Sequence, residues 1–336
     1  MTVGEAAGYI GNAPGRFERD VLTRISTQSG KTLYKDYFHL KDMPFSIAPD
    51  PRFLFMSAQH RDALAHLLYG VQGDGGFVLL TGEVGTGKTT LCRCLLDQID
   101  DNCEVAYILN PKMSTVEMLA AVCEDFHLVV APHTASTKVY VDALNAHLLR
   151  LHEQSRRAVL IIDEAQDLDP EVLEQLRLLT NLETSTRKLL QIILIGQPEL
   201  QATLRRSEMR QVAQRIVARY HLGHLSQNET EAFIAHRLSV AGSIAPLFPR
   251  AVVHMVHRRT GGVPRLINLL CDRALLGTFA QGKLRVDRAT LCKAAHEVFG
   301  RSASPDATRS LRWQFALLTA LGADGALADM TVLAPS

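Results

Sequence analysis

The sequence lacks any apolar segment long enough to cross a bilayer. The run Trp313–Leu321 is far shorter than the ~20 apolar residues that a spanning helix needs, and it is typical of a short packing helix. The first thirty residues are dominated by Gly, Ser, Thr and charged residues, without the apolar core of a signal peptide. We therefore expect residues 1–33 to be a flexible leader, or the product of an upstream start codon, in a soluble chain.

Cysteine is scarce, and net charge is almost absent. None of the six cysteines has the paired C-x-x-C spacing of a zinc site, which favours reduced core thiols in a reducing compartment. The 36 basic and 35 acidic residues give a formal charge of +1. The overall charge balance therefore requires neither nucleic acid nor an acidic membrane surface as a partner, although a local basic patch could still exist.

Short apolar runs alternate with helical patterns through the first two thirds of the chain. The runs that predict strands are residues 77–80, 105–109, 158–162, 189–195 and 220–222. The helical patterns between them cover residues 88–99, 114–126, 138–153 and 169–182. Strands that alternate with helices predict a parallel sheet covered on both faces, which is a three-layer α/β/α core.

The alternation stops near residue 225. Helical patterns alone follow, over residues 226–241, 249–259, 264–279 and 287–299. We expect an α/β nucleotide-binding domain over residues 34–225 and a small all-helical lid domain over residues 226–300. Residues 301–336 form a tail, for which disorder is one option.

A glycine-rich segment fits the phosphate-loop motif G-x-x-x-x-G-K-[ST] at every fixed position. The glycines let the backbone wrap tightly so that its N–H groups converge on phosphate, and the helix that follows adds its positive end. Lys88 can reach the β- and γ-phosphates of ATP, and Thr89 can hold Mg²⁺. A chance glycine-rich turn is disfavoured because a strand enters the loop and a helix leaves it. The predicted nucleotide-binding residues are Gly82, Glu83, Val84, Gly85, Thr86, Gly87, Lys88, Thr89 and Thr90.

The most hydrophobic predicted strand, residues 158–162, ends in two carboxylates. In phosphate-loop enzymes an aspartate at this point holds Mg²⁺ through water, which predicts that role for Asp163. Glu164 can then orient and activate the attacking water. The alternative is a solvated acid pair at a strand end. The match to the phosphate loop favours hydrolysis over that alternative and over a module that only binds ATP.

Three more polar residues stand at informative positions. Gln197 follows the fourth predicted strand, where a polar side chain lies between the acidic pair and the γ-phosphate. Arg215 precedes the fifth predicted strand. Arg265 follows Gly261-Gly262-Val263-Pro264 and so lies on the first turn of a helix.

Taken together, these features resemble the AAA+ ATPases related to general secretion pathway protein A, over residues 34–300. The resemblance is carried by Tyr37-Phe38-His39-Leu40, Met43-Pro44-Phe45, residues 49–55, His60, Tyr69-Gly70, residues 76–90, Asp163-Glu164-Ala165-Gln166, Gly196-Gln197-Pro198-Glu199-Leu200 and Pro264-Arg265. It implies the AAA+ version of the phosphate-loop fold. Relatives often continue into a membrane span and a peptidoglycan-binding domain, whereas residues 303–336 match no segment of that kind.

The resemblance also implies roles for single residues. Gln197 would be sensor 1, Arg265 would be sensor 2, and Arg215 would be the arginine finger offered to a neighbouring subunit. Gln197 could instead only cap the next helix. The segment from Pro44 to Phe55 would pack near the adenine; its aromatic residues otherwise belong to the core. The arginines that compete with Arg215 are Arg205, Arg206, Arg210 and Arg219.

We therefore expect an ATPase that works as a homo-oligomer and assists a secretion or pilus-type envelope assembly. We expect it in the cytoplasm, with peripheral attachment at the inner membrane as an option. The alternative is a DNA-binding regulatory ATPase of the type that selects targets for transposition. A helicase is set aside, because the chain after Glu164 leads into a helical domain and not into a second strand-rich motor domain.

Overall fold

The computed structural model describes residues 33–48, 50–73, 75–130, 136–184 and 188–300. The predicted leader up to residue 32 and the predicted tail from residue 301, including the run Trp313–Leu321, lie outside the described residues. Among the helices that are described, none combines the length and the apolar character that crossing a membrane demands.

A five-stranded sheet forms the centre of the fold, and its strands are all parallel. Its strands are β1 (Gly76–Gly82), β2 (Cys103–Ile108), β3 (Arg157–Ile162), β4 (Leu190–Gly196) and β5 (Ile216–Leu222), in the order β2-β3-β4-β1-β5. The parallel α/β prediction is confirmed. The fifth strand is longer than the three residues that the sequence indicated. Its burial alternates because it is an edge strand, so its residues do not form the continuous apolar run that marks a strand buried on both faces.

Helices connect the strands and follow the sheet. They are α1 (Leu33–Tyr37), α2 (Ala58–Gln72), α3 (Lys88–Leu96), α4 (Thr115–Asp125), α5 (Thr137–Glu153), α6 (Pro170–Leu179), α7 (Pro198–Leu204), α8 (Arg210–Gln214), α9 (Gln227–Val240), α10 (Arg250–Thr260), α11 (Pro264–Ala280) and α12 (Arg288–Phe299). Short 3₁₀ turns occur at Pro51–Phe53, Ala165–Asp167 and Ser207–Met209.

Two helices begin with a capping box. Ser114 and Glu117 bond reciprocally at the start of α4, and Ser226 and Glu229 do so before α9. Asp287 caps α12 by accepting a hydrogen bond from the Thr290 N–H. These side chains satisfy N–H groups that a helix start leaves without a partner.

Two helices end earlier than the sequence indicated. Helix α3 ends at Leu96 and not at residue 99, because the Gln98 N–H bonds to the Leu95 carbonyl three residues back. Helix α6 ends at Leu179 and not at residue 182. There the Thr180 hydroxyl donates to the Arg177 carbonyl and so competes with continued helix.

The sheet carries an apolar core on each face. Alternate residues of one strand point to opposite sides, so Leu79 belongs to the core formed with α4, α5 and α6, whereas Val78 and Leu80 belong to the core formed with α2 and α3. Strands β1 and β4 are buried along their whole length. Helices on both faces give the predicted three-layer architecture.

Contacts divide the described residues into two units. The sheet unit comprises residues 47–233 and 260–268, and the helical unit comprises residues 33–46, 234–259 and 269–300. Within the helical unit, Arg237 donates to the carbonyls of Pro44 and Ser46, and Tyr34 donates to Asp272. The domain boundary near residue 225 remains a prediction.

Candidate active site

The segment between β1 and α3 adopts a conformation that its glycines make possible. Gly85 has φ +81° and Gly87 has φ +102°, which are left-handed values that side chains with a Cβ disfavour. Gly87 is also the N-cap of α3. A Cβ on Gly85 would lie 2.6 Å from the Cβ of Arg265, so the loop has no room for a larger residue there.

Lys88 begins α3 and directs its side chain back across this loop. Its Nζ donates to the Gly82 carbonyl at 2.8 Å and to the Glu83 carbonyl at 3.1 Å. Burial lowers the pKa of Lys88, and the nearby carboxylates of Glu164 and Asp163 oppose that shift. The nearby carboxylates favour the charged form of the buried Lys88 amine, and a charged ammonium at this place can bind a phosphate anion.

The next residue, Thr89, is connected to the acidic pair at the end of β3. Its hydroxyl donates to Asp163 Oδ2 at 3.1 Å, and the Tyr107 hydroxyl donates to the same oxygen at 3.3 Å. Asp163 Oδ1 accepts the Glu164 N–H at 2.9 Å. Asp163 is only 2% exposed, so these hydrogen bonds are what stabilises its charge in the interior.

Oxygen donors of this kind fit Mg²⁺. A threonine hydroxyl and a carboxylate within 3.1 Å of each other are hard ligands, which Mg²⁺ prefers. Two protein oxygens leave most of the coordination sphere open, which suits an ion that keeps waters and shares its coordination with phosphate.

Glu164 lies beside Asp163 in a left-handed conformation, with φ +52°. Its Oε2 accepts a hydrogen bond from Gln166 Nε2 at 2.9 Å and from Gln197 Nε2 at 3.4 Å. Gln197 follows β4, the strand next to β3. The structure thus brings the predicted base and the predicted sensor 1 residue into direct contact.

The two arginines lie in different places. Arg265, on the first turn of α11, donates its backbone N–H to the Gly85 carbonyl at 3.2 Å, so it adjoins the phosphate loop. Arg215 donates to Thr180 Oγ1 at 2.8 Å, and its carbonyl accepts the Phe77 N–H at the start of β1. Arg215 therefore lies at the amino-terminal end of β1. The seven residues of that strand separate this end from the phosphate loop by roughly 20 Å.

The aromatic residues predicted to pack near the adenine make packing contacts in the structure. In the helical unit, Phe45 packs edge-on against Phe248, with ring centroids 5.6 Å apart. In the sheet unit, Phe55 packs in the same way against Phe233 at 5.8 Å. Their role toward a nucleotide remains a prediction.

Sequence reasoning gave no role to three residues that contact the site. His60 bonds through Nε2 to the Thr86 carbonyl at 3.1 Å and through Nδ1 to Ser57 Oγ at 2.7 Å. Tyr107 contacts Asp163, and Gln166 contacts Glu164. His60 and Gln166 stand within the stretches that carried the family resemblance, which was the available signal; Tyr107 was visible only as part of a strand.

The chain is similar in sequence to known proteins. The family model described as an AAA domain matches residues 71–204. General secretion pathway protein A from Aeromonas hydrophila is 52% identical over 268 residues, which are 80% of this chain and 49% of that protein. The chain therefore spans about half the length of this relative.

Solved structures share the fold. Cdc6p from Pyrobaculum aerophilum superposes with a TM-score of 0.60 at 17% identity, covering 76% of this chain and 70% of that one. The ORC2 protein from Aeropyrum pernix superposes with a TM-score of 0.58 at 18% identity, covering 77% and 72%. At these identities the comparison concerns the fold alone.

Proposed function

The chain belongs to the family of AAA+ proteins that includes general secretion pathway protein A, and from that premise we propose that it binds ATP with Mg²⁺ and hydrolyses it to drive conformational change in an assembly. One observation carries the proposal. The phosphate loop and the acidic strand end meet in one cleft, where Thr89 bonds to Asp163 at 3.1 Å.

ATP binding rests on the loop from Gly82 to Thr90. The backbone N–H groups of the loop and the start of α3 bind the phosphates, and the Lys88 ammonium exchanges its carbonyl partners for phosphate oxygens. Thr89 would hold Mg²⁺ directly and Asp163 would hold it through water. When bound, the ion would supply charge neutralisation at the phosphates.

Hydrolysis rests on Glu164, which accepts a proton from the water that attacks the γ-phosphate. Gln197 acts as sensor 1, because its amide already contacts the Glu164 carboxylate at 3.4 Å and lies at the tip of the neighbouring strand. A base and a polar sensor at adjoining strand ends suit the in-line attack of water on a phosphate.

The arginines extend the site to a second subunit. Arg265 acts as sensor 2 from the first turn of α11, which is supported by the contact of its backbone N–H with the Gly85 carbonyl of the phosphate loop. Arg215 lies about a strand's length from the loop of its own subunit, so as a finger it serves the ATP of a neighbour in a homo-oligomer. Thr180 holds its guanidinium in place until subunits associate.

The process that uses this energy is assembly of a secretion or pilus-type envelope machine. Its support is the 52% identity to general secretion pathway protein A. The protein acts from the cytoplasm, with peripheral attachment at the inner membrane as an option. The DNA-regulatory alternative has no comparable support, because the Aeropyrum pernix ORC1 protein in complex with DNA is 16% identical and shares the fold alone.

A phosphate-release assay tests the proposal. Purified protein with ATP is assayed with Mg²⁺ and with excess EDTA, and then with membranes, peptidoglycan fragments or duplex DNA. We expect Mg²⁺-dependent release that membranes or envelope components stimulate. No release under any of these conditions would overturn the ATPase proposal, whereas stimulation by DNA alone, falling steeply with salt, would favour the DNA-regulatory alternative.

A further inference from the structure

Gln166 uses both atoms of its side-chain amide at the acidic strand end. Its Nε2 donates to Glu164 Oε2 at 2.9 Å, and its Oε1 accepts the backbone N–H of Gln197 at 2.9 Å. It lies on the 3₁₀ turn Ala165–Asp167, directly after the acidic pair. One side chain therefore connects the end of β3 with the end of β4.

These contacts fix the direction of the Glu164 carboxylate. Both amide donors, from Gln166 and Gln197, reach the same oxygen, Oε2. In the part of the chain that the structure describes, no hydrogen-bond donor reaches the other oxygen, Oε1. The Glu164 carboxylate is thus held through Oε2, and Oε1 is the oxygen that can accept a proton from water.

The strand tip leaves Gln166 little freedom. A Cβ added to Gly196 would lie 3.0 Å from Gln166 Oε1 and 3.2 Å from its backbone nitrogen. Gly196 therefore permits the close approach by which Gln166 reaches the Gln197 N–H. A side chain confined in this way loses little further conformational freedom when it orients its neighbour.

We propose that Gln166 is a positioning residue, which orients Glu164 toward the attacking water and couples it to the Gln197 strand tip. The inference rests on the proposed ATPase function. An amide suits this role because it donates to a carboxylate and accepts from an N–H at the same time. A methionine of similar shape does neither, and a glutamate keeps only the acceptor.

Two substitutions and one double variant test the inference through kinetics. We expect Gln166→Met to lower kcat about tenfold or more, because a small misplacement of the base is enough for such a loss. Affinity for a non-hydrolysable ATP analogue should stay within about twofold of the parent. Gln166→Glu should lower kcat at least as much, because it replaces a donor with a second carboxylate beside Glu164. In a Glu164→Gln background, Gln166→Met should change kcat no further.

Hydrogen exchange tests the geometry without using activity. The backbone N–H of Gln197 should exchange about tenfold faster in Gln166→Met than in the parent, because the side-chain oxygen that accepts its hydrogen bond is removed. It should keep its protection in Gln166→Glu, which retains that acceptor. Thermal unfolding of each variant shows whether the fold is intact.

The outcomes separate this inference from the proposed function. A parent that does not hydrolyse ATP would overturn both. An active parent with an unchanged kcat in Gln166→Met, or a further kcat loss in the Glu164→Gln background, would overturn the positioning role alone. Equal exchange of the Gln197 amide in the parent and in Gln166→Met would do the same.

Discussion

The Thr89 hydroxyl donates a hydrogen bond of 3.1 Å to the Asp163 carboxylate, although the two residues are 74 positions apart in the chain. Thr89 is on the first turn of α3, after β1, and Asp163 directly follows β3. Strand β4 lies between those two strands in the sheet. This contact shows that the helix after the phosphate loop and the acidic pair lie side by side at the carboxyl end of the sheet.

Removal of the loop ammonium should abolish ATP binding. Hydrogen bonds to charged groups contribute about 1.5–3 kcal/mol each, so we expect Lys88→Ala to weaken ATP affinity by about a hundredfold or more. Lys293→Ala, an exposed lysine on α12, is the matched control and should bind as the parent does. Fluorescence titration with a labelled ATP analogue measures both. Parental affinity in Lys88→Ala would contradict the assigned phosphate contact.

Gly85 should tolerate alanine far less well than Gly261. Both glycines have positive φ, at +81° and +60°, but a Cβ on Gly85 meets Arg265 at 2.6 Å, whereas a Cβ on Gly261 meets no atom within 4 Å. Backbone strain should cost about 1–2 kcal/mol at each position. Overpacking should cost Gly85→Ala about 1–3 kcal/mol more. Urea unfolding checks this difference. Equal losses of unfolding free energy in the two variants would show that the phosphate loop can move away from Arg265 without an energetic cost.

His60 should make stability depend on pH. Burial lowers the pKa of His60 below the ordinary value of 6.5, against the opposing effects of the Thr86 carbonyl and the Glu229 carboxylate. The unfolded chain therefore binds more protons on this side chain than the folded chain does, and stability falls as the pH falls below 6.5. Because the Thr86 carbonyl can only accept, Nε2 of the neutral ring carries the hydrogen.

His60→Gln removes this titration and keeps an N–H donor for Thr86. We expect the parent to lose more thermal stability between pH 7.5 and pH 5.5 than His60→Gln does. The exposed His66 on the same helix provides the control, since His66→Gln should keep the pH dependence of the parent. Identical pH profiles for the parent and His60→Gln would mean that folding leaves the pKa of His60 unchanged.

Arg215 should matter only when subunits associate. As a finger it would stabilise the transition state of a neighbour's ATP, so we expect Arg215→Ala to lower turnover by about 10³-fold at concentrations where oligomers form. Arg210→Ala, an exposed arginine on the adjoining helix α8, should retain turnover. Phosphate release is measured across protein concentration alongside light scattering. An equal loss in isolated subunits would exclude the finger role and point to the Thr180 contact.

Much of the site could be predicted because its residues are defined locally. A strand, a glycine-rich turn and a helix follow each other within residues 76–96, and the acidic pair directly ends β3. These features need no knowledge of the rest of the chain. The strands themselves were visible because strands buried on both faces are continuous apolar runs.

What sequence reasoning missed depends on distant contacts or weak local signals. Helix α2 follows the N-cap residue Ser57 without a capping box and contains Gly70, which lowers helix propensity. Gly70 is explained only by the sheet, because a Cβ there would lie 2.3 Å from Val78. The contact of Gln166 with the Gln197 N–H likewise requires β3 and β4 to be neighbours, which no local pattern specifies.

The central claim is that Glu164 serves as the base for hydrolysis in a site that binds ATP through the phosphate loop. The most direct measurement compares Glu164→Gln with the parent for both ATP binding and phosphate release with Mg²⁺. We predict that Glu164→Gln retains ATP with parental affinity and that its turnover falls by about 10²–10⁴-fold. Phosphate release at the parental rate in Glu164→Gln would contradict the account.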